Sequence, residues 1–394
     1  MIPTRNRSHI VPYAIESVLR QLFTDFEIVL IDNDLSDATS VAVEKYRSDS
    51  RFKYFRTGNL SMPDNWEFGY HHCRGRYFLC IEDKMFLKKR ALQNLHDTFE
   101  DNDIDFLLWK LDYYDNESNI FYPQLFEYNQ LDWRSSRDTL QLIENCDIRL
   151  YMPIAPRGFN FSASREKIDQ VITKSPEKCF FLPISPDFTS GFQLLMNYDR
   201  YPVLPYSISA HSFISYSNGT AVTMRTKQGL DFLKEVGFHN DSKLNVPVQA
   251  SGVWNLVIDD LMKVAALQHR EGEFKLNMFN YFLMNWQEFT YVQNEGVDMS
   301  IEMAAFNDAL EKLEDRKLRD EIVAKIHSLP APTIPTFGTD LYAESVVVQN
   351  PQKTLSQRLF REAIRPFRQI KKALIGKPTE ISYKNFDTFF KDYC

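Results

Sequence analysis

Ile2-Pro3-Thr4-Arg5-Asn6-Arg7, followed at a distance by Glu27-Ile28-Val29-Leu30-Ile31-Asp32-Asn33, decides how this chain is read. The second stretch is a short apolar run rich in branched side chains that ends on a carboxylate. Such a run suits a parallel strand covered on both faces, because neither face needs polar residues for water. Between the two stretches, Ile15, Val18, Leu19 and Leu22 recur at helical spacing, and Pro12 sits where a first helical turn tolerates it. A strand, a crossover helix and a second strand make a parallel βαβ unit.

Working outward, the alternation continues to about residue 110. Ser36 predicts a cap for a helix carrying Val41, Val43 and Tyr46, with Asp37 at the positive end of its dipole. Arg51–Arg56 reads as a strand, Met62–Cys73 as a helix closed by Gly75, and Tyr77–Ile81 as a strand ending in Glu82-Asp83-Lys84. Strands are predicted at Asp105–Leu111, Phe159–Ala163 and Val203–Ser209, and helices at Ser164–Ile172 and Asp187–Met196. Segments 253–268, 273–292, 298–314 and 316–328 carry leucine and methionine, lack helix-breaking glycine for the most part and read as a helical appendage. The division expected is a sheet domain over 1–220, the helical appendage over 245–328, a proline-containing linker over 329–352 and a basic amphipathic tail over 353–394.

Composition narrows the function. The 394 residues are 44% hydrophobic and 25% charged, which is ordinary globular chemistry, and the formal net charge of -7 gives no general reason to expect a nucleic-acid partner. Five cysteines, widely spaced and without a CxxC pair, indicate neither a disulfide framework nor a zinc site and fit a reducing compartment. No signal-like leader or apolar run of membrane-spanning length is visible, so a cytoplasmic protein is expected, peripheral at most on the inner face of a membrane. The exception to the acidic balance is Lys353–Lys377, where eight basic residues against Glu362 give +7, around an apolar face of Leu355, Leu359, Phe367 and Ile370. Such a helix suits an anionic membrane surface or the protein's own core equally well.

Carboxylates at the ends of parallel strands are the groups to examine, because ligands bind in the crevice where those ends converge. Ile2–Arg7, Ala14-Ile15-Glu16-Ser17-Val18-Leu19-Arg20-Gln21, Phe26–Asn33, Ser36-Asp37-Ala38-Thr39, Asn65-Trp66-Glu67, Gly75-Arg76-Tyr77, Glu82-Asp83 and Pro186-Asp187 together closely resemble family 2 glycosyltransferases over about residues 1–215. The resemblance implies a GT-A fold, a Rossmann-like mixed sheet with helices on both faces, here with the helical appendage added. It also implies transfer of a sugar from a nucleotide-diphosphate donor to a hydroxyl of a glycan or glycolipid, with inversion.

Residue by residue, the resemblance makes Thr4, Arg5 and Asp32 the nucleobase pocket and places Asn65 beside the donor sugar. Glu82-Asp83-Lys84 falls at the metal-binding D-x-D, with Lys84 in the place of the second aspartate. Either Glu82 or Asp83 holds a divalent cation, Mg or Mn, with help from elsewhere such as His211, or Lys84 takes over part of the ion's work as a point charge. Asp187 matches the presumed general base, with Pro186 replacing the glutamate before it; as part of Ser185-Pro186-Asp187 it also reads as a helix start, and both roles are compatible. The departure at Lys84 motivates a rival reading, a catalytically silent nucleotide-sugar-binding subunit of a glycan assembly complex. A nucleotidyltransferase is weaker, since the glycine-rich, lysine-bearing loop after the first strand is absent.

Overall fold

The structure, a computed structural model, describes residues 1–126, 129–213, 216–239, 241–330 and 380–394. Its first sheet is parallel throughout: β1 (Ile2–Thr4) pairs with β2 (Ile28–Asp32), and β2 with β3 (Phe52–Arg56). Every residue of β2 is buried, as its unbroken apolar run requires. The helix Val11–Leu19 covers it through Val11, Ala14, Ile15 and Val18, but ends before Leu22, which is 52% exposed. On the other side the helix Met62–His72 lies so close that a side chain on Gly69 would meet Met1 and Ile31.

The second sheet has the order β4-β10-β6-β11-β9, formed by Tyr77–Leu79, Phe161–Ser164, Phe106–Leu108, Arg200–Val203 and Asp132–Ser135. It continues the first, because the Met1 amino group donates to the Leu79 carbonyl at 2.8 Å and the Ile81 N–H donates to the Met1 carbonyl at 3.1 Å. The expected Val203–Ser209 strand does not form as one piece. β11 ends at Val203, and β12 (Ser209–His211) begins in a third sheet of order β13-β8-β7-β12-β5. Pro205 lies between them, and there the chain crosses from one sheet to the other.

In that third sheet β5 (Met85–Leu87) pairs with β12, β12 with β7 (Asp112–Asp115), β7 with β8 (Ile120–Tyr122), and β8 with β13 (Ile381–Ser382). β5 follows directly on Glu82-Asp83-Lys84, and β12 ends on His211, so this small sheet brings the two together.

The four expected helical segments are observed as Val253–Leu267, Met278–Asn294, Ser300–Glu311 and Arg316–Ser328. The second begins later than expected because the Asn277 side chain caps it, accepting from the Asn280 N–H at 3.1 Å. These helices share one apolar core with the sheets, a cluster that includes both Val29 and Phe282. Residues 380–394, expected as the end of a basic tail, are instead β13 and a helix, Phe386–Tyr393, that pack on the third sheet. The basic segment 353–377 and most of the expected linker lie outside the described residues. Among the described residues no helix is long and apolar enough to cross a membrane.

Candidate active site

The strand ends of β1 and β4 open on a cavity of about 720 Å³. Thr4, Arg5, Asn65, Glu82, Asp83, Lys84, Asp187 and His211 all line it, so the structure gathers these expected residues in one place. Its far wall comes from helices that follow the sheet domain: Lys227–Glu235, and the start of Val253–Leu267 with Trp254. The volume falls in the range of small-molecule sites.

Asp32 is the exception. It is fully buried and does not line the cavity; its carboxylate accepts the Tyr54 hydroxyl at 2.6 Å and the Asp34 N–H at 2.9 Å. Burial pushes its pKa up, against the effect of the Tyr54 bond. Asn33, the next residue, does reach the cavity.

After β1 the chain turns at Asn6, whose φ of 57° is left-handed and tolerable for asparagine. That turn sends Arg7 back over Asp83, at 3.0 Å and 3.3 Å to its two carboxylate oxygens, while the Thr4 hydroxyl donates to Oδ2 at 2.7 Å. Asp83 is therefore an anchor between β1 and the strand-end turn, with both oxygens engaged. Arg5 points the other way, to a two-pronged pair with Glu235 at 2.5 Å and 2.9 Å that ties β1 to the far wall. Asn65 accepts the Thr57 hydroxyl at 2.6 Å.

Glu82 is the carboxylate of this turn that keeps a free face. Its Oε2 lies 3.5 Å from the Lys84 ammonium and 3.1 Å from His211 Nε2. Both atoms are buried and neither has a hydrogen-bond partner. Burial opposes the ionisation of Glu82, but Lys84, His211 and Arg7 outweigh it and hold the carboxyl well below its usual range. Burial likewise lowers the pKa of Lys84 and of His211, with Glu82 resisting both shifts.

The fit to a divalent cation is poor. Among the described residues no group of three or more His, Cys, Asp or Glu side chains could hold a metal ion. Asp83 is spoken for, and Glu82 shares its oxygen with a buried ammonium. Unit charges 4 Å apart interact by about 4 kcal/mol at an effective dielectric near 20, so a divalent ion on Glu82 would face roughly twice that in repulsion from Lys84.

Asp187 occupies the first turn of the helix Pro186–Asn197. Burial pushes its carboxyl up to about 6; Arg157 opposes the shift and Glu82 adds to it. The loop bearing Arg157 runs hard against this helix start, since the Gly158 N–H donates to the Asp187 carbonyl at 2.8 Å and a side chain on Gly158 would meet Trp66 and the Asp187 backbone. The approach to Asp187 is held from the other side by Asp260 of helix Val253–Leu267, whose carboxylate accepts the N–H groups of Ile184 at 2.9 Å and Ser185 at 2.8 Å. Sequence reasoning assigned no role to Arg7, Arg157, Asp260, Trp254 or Glu235. Arg7 lay within the quoted opening motif; the others carry no local signal.

The chain is similar to known proteins over part of its length. Residues 1–162 match the family described as Glycosyl transferase family 2, and the α/β sheet order with its C-terminal helices is the GT-A architecture expected of that family. Over 116 residues the chain is 30% identical to the poly(ribitol-phosphate) beta-N-acetylglucosaminyltransferase TarP of Staphylococcus aureus, a stretch covering 28% of this chain and 35% of TarP. Over 98 residues it is 32% identical to the GalNAc(5)-diNAcBac-PP-undecaprenol beta-1,3-glucosyltransferase of Campylobacter jejuni, covering 24% of this chain and 32% of that one. The chain thus spans about a third of the length of these curated relatives. Among solved structures, S. aureus TarS 1–349 in complex with UDP-GlcNAc superposes with a TM-score of 0.47 at 14% identity, over 79% of this chain and 89% of that one.

Proposed function

We propose that this protein transfers a sugar from a nucleotide-diphosphate donor to a hydroxyl of a glycan or glycolipid acceptor, with inversion at the anomeric carbon. The observation that carries the reading is Asp187: a carboxyl pushed up to about 6 by burial, lining the same cavity as the strand-end group Glu82–Lys84, which falls within the residues that match family 2. A general base works best when its pKa lies near the operating pH.

The chemistry follows from the two charge types. The acceptor oxygen attacks the anomeric carbon, and the bond from that carbon to the diphosphate oxygen breaks with its electron pair leaving on the diphosphate. Asp187 takes the acceptor's proton. Cationic side chains that line the same cavity, Lys84 among them, can meet the charge that builds on the leaving group. Thr4, Arg5 and Asn65 frame the donor, and Trp254 offers an apolar face at the far wall. The relatives' names specify a poly(ribitol-phosphate) and an undecaprenol-linked oligosaccharide, which supports a glycan or glycolipid acceptor here.

A second reading, a nucleotide-sugar-binding subunit without turnover, is favoured by Lys84 standing at a carboxylate position. A panel of nucleotide sugars separates the two: binding followed by donor hydrolysis or transfer supports the enzyme, whereas tight binding with no turnover on any acceptor supports the silent subunit. No binding of any donor would overturn both.

A further inference from the structure

We infer that Lys84 takes the place of a divalent cation: its buried ammonium, held against Glu82 and beside His211, is the group that neutralises the diphosphate of the donor. The inference rests on the donor reading above and goes beyond it in naming how the leaving group is met.

Three observations carry it. Lys84 is 2% exposed yet lines the cavity, so its burial is directed toward the space a ligand would fill. Its counter-charge is incomplete. Glu82 Oε2 sits 3.5 Å away, longer than a tight ion pair, and Asp83 next to it is committed to Thr4 and Arg7. A buried ammonium whose partner is shared and distant has capacity left for a second anion. Finally, among the described residues the remaining metal-binding atoms at this corner are one carboxylate oxygen and one imidazole nitrogen, both without a hydrogen bond and too few to hold a divalent ion. The lysine is the group at this corner that supplies positive charge, with Glu82 and His211 packed around it.

When the bond from the anomeric carbon to the β-phosphate oxygen breaks, the electron pair stays on the phosphate, and the Lys84 ammonium lies where that charge accumulates. It needs no proton transfer to act. A fixed cation in a dry site meets developing charge without reorganising. No oxidant, reductant or further reactant enters.

The test is calorimetric binding of nucleoside diphosphates (UDP, GDP, CDP and dTDP), their monophosphates and the parent nucleosides to the full chain, in chelator and in millimolar Mg or Mn. Wild-type protein should bind its preferred diphosphate with affinity that changes less than about threefold between chelator and metal. Lys84→Met should weaken the diphosphate by a factor on the order of 10–100, the size of one charge-assisted contact, while leaving the nucleoside unchanged. Lys84→Arg should restore part of the loss. Lys84→Asp, which rebuilds a carboxylate at that position, should make diphosphate binding depend on metal.

Diphosphate binding by the wild type that disappears in chelator overturns the inference while leaving the transferase reading intact. Equal weakening of nucleoside and diphosphate in Lys84→Met also overturns it, since that is the signature of a structural lysine. Should Lys84→Met fail to fold because Glu82 is left unpaired, the wild-type comparison between chelator and metal still decides. Absence of binding by every nucleotide overturns this inference together with the donor reading.

Discussion

Asp187 draws its altered acidity from burial rather than from a neighbouring carboxylate alone, and that fixes the pH dependence expected of the reaction. A base must be ionised to accept a proton. Below about 6 Asp187 is mostly protonated and transfer falls tenfold per pH unit; above about 6 it is ionised and the rate levels off. Asp187→Asn should keep donor affinity, lower turnover by a factor on the order of 10²–10⁴, and flatten this acid limb. A pH–rate profile of both proteins checks it, and an unchanged acid limb in the variant would assign the limb to another group. At this scale the sequence was informative where chemistry is local: the positions of Asp187, Glu82 and Lys84 follow from strand ends and motif order. Asp32 shows the limit. A carboxylate after a strand is as easily turned inward to Tyr54 and a turn N–H as outward to a ligand, and sequence spacing does not distinguish the two.

The elements that hold Asp187 belong to different parts of the chain. Helix Val253–Leu267 is legible as a helix from its apolar spacing, but Asp260 within it looks like any solvated acid. Its partners, Ile184 and Ser185, lie 76 and 75 residues earlier, so only the packed structure reveals that it fastens the loop before Asp187. Burial pushes Asp260 up to about 6, a sign of how far it is removed from water. Asp260→Ala should leave two buried N–H groups without an acceptor, at a cost of about 1–3 kcal/mol each. The expected outcome is a lower melting temperature and reduced turnover with the donor dissociation constant unchanged; Asp260→Asn, which retains one carbonyl acceptor, should fall between. Loss of donor binding in proportion to turnover would mean that Asp260 supports the whole cavity rather than the base.

Across the whole molecule, the third sheet joins segments that the sequence keeps far apart. β13 adds to β8, and the helix Phe386–Tyr393 buries Phe389 and Phe390 against Phe86, Tyr114 and Phe121, with the Tyr114 and Phe389 rings stacked at 4.1 Å. Tyr393 donates to Asp112 at 2.9 Å, and Asp112 lines the cavity. Residues 380–394 thus brace the strand that follows Lys84 and the strand that ends on His211. Phe389→Ala should cost about 3–5 kcal/mol, the usual price of removing a buried aromatic ring. Chemical denaturation measures it, and a change below about 1 kcal/mol would show that this segment is only loosely attached.

The sequence by itself determined the parallel opening of the sheet, the appended helices and the order of the motifs. Each depends on periodicity, turn chemistry or a strand end, which are properties of neighbouring residues. The split between β11 and β12, the strand and helix at 380–394, the inward turn of Asp32, the engagement of Asp83 by Thr4 and Arg7, and the grip of Asp260 on the loop before Asp187 were decided only by the tertiary structure. Those features depend on which distant groups satisfy each buried polar atom, and that is settled when the core closes and water leaves, not by any local pattern.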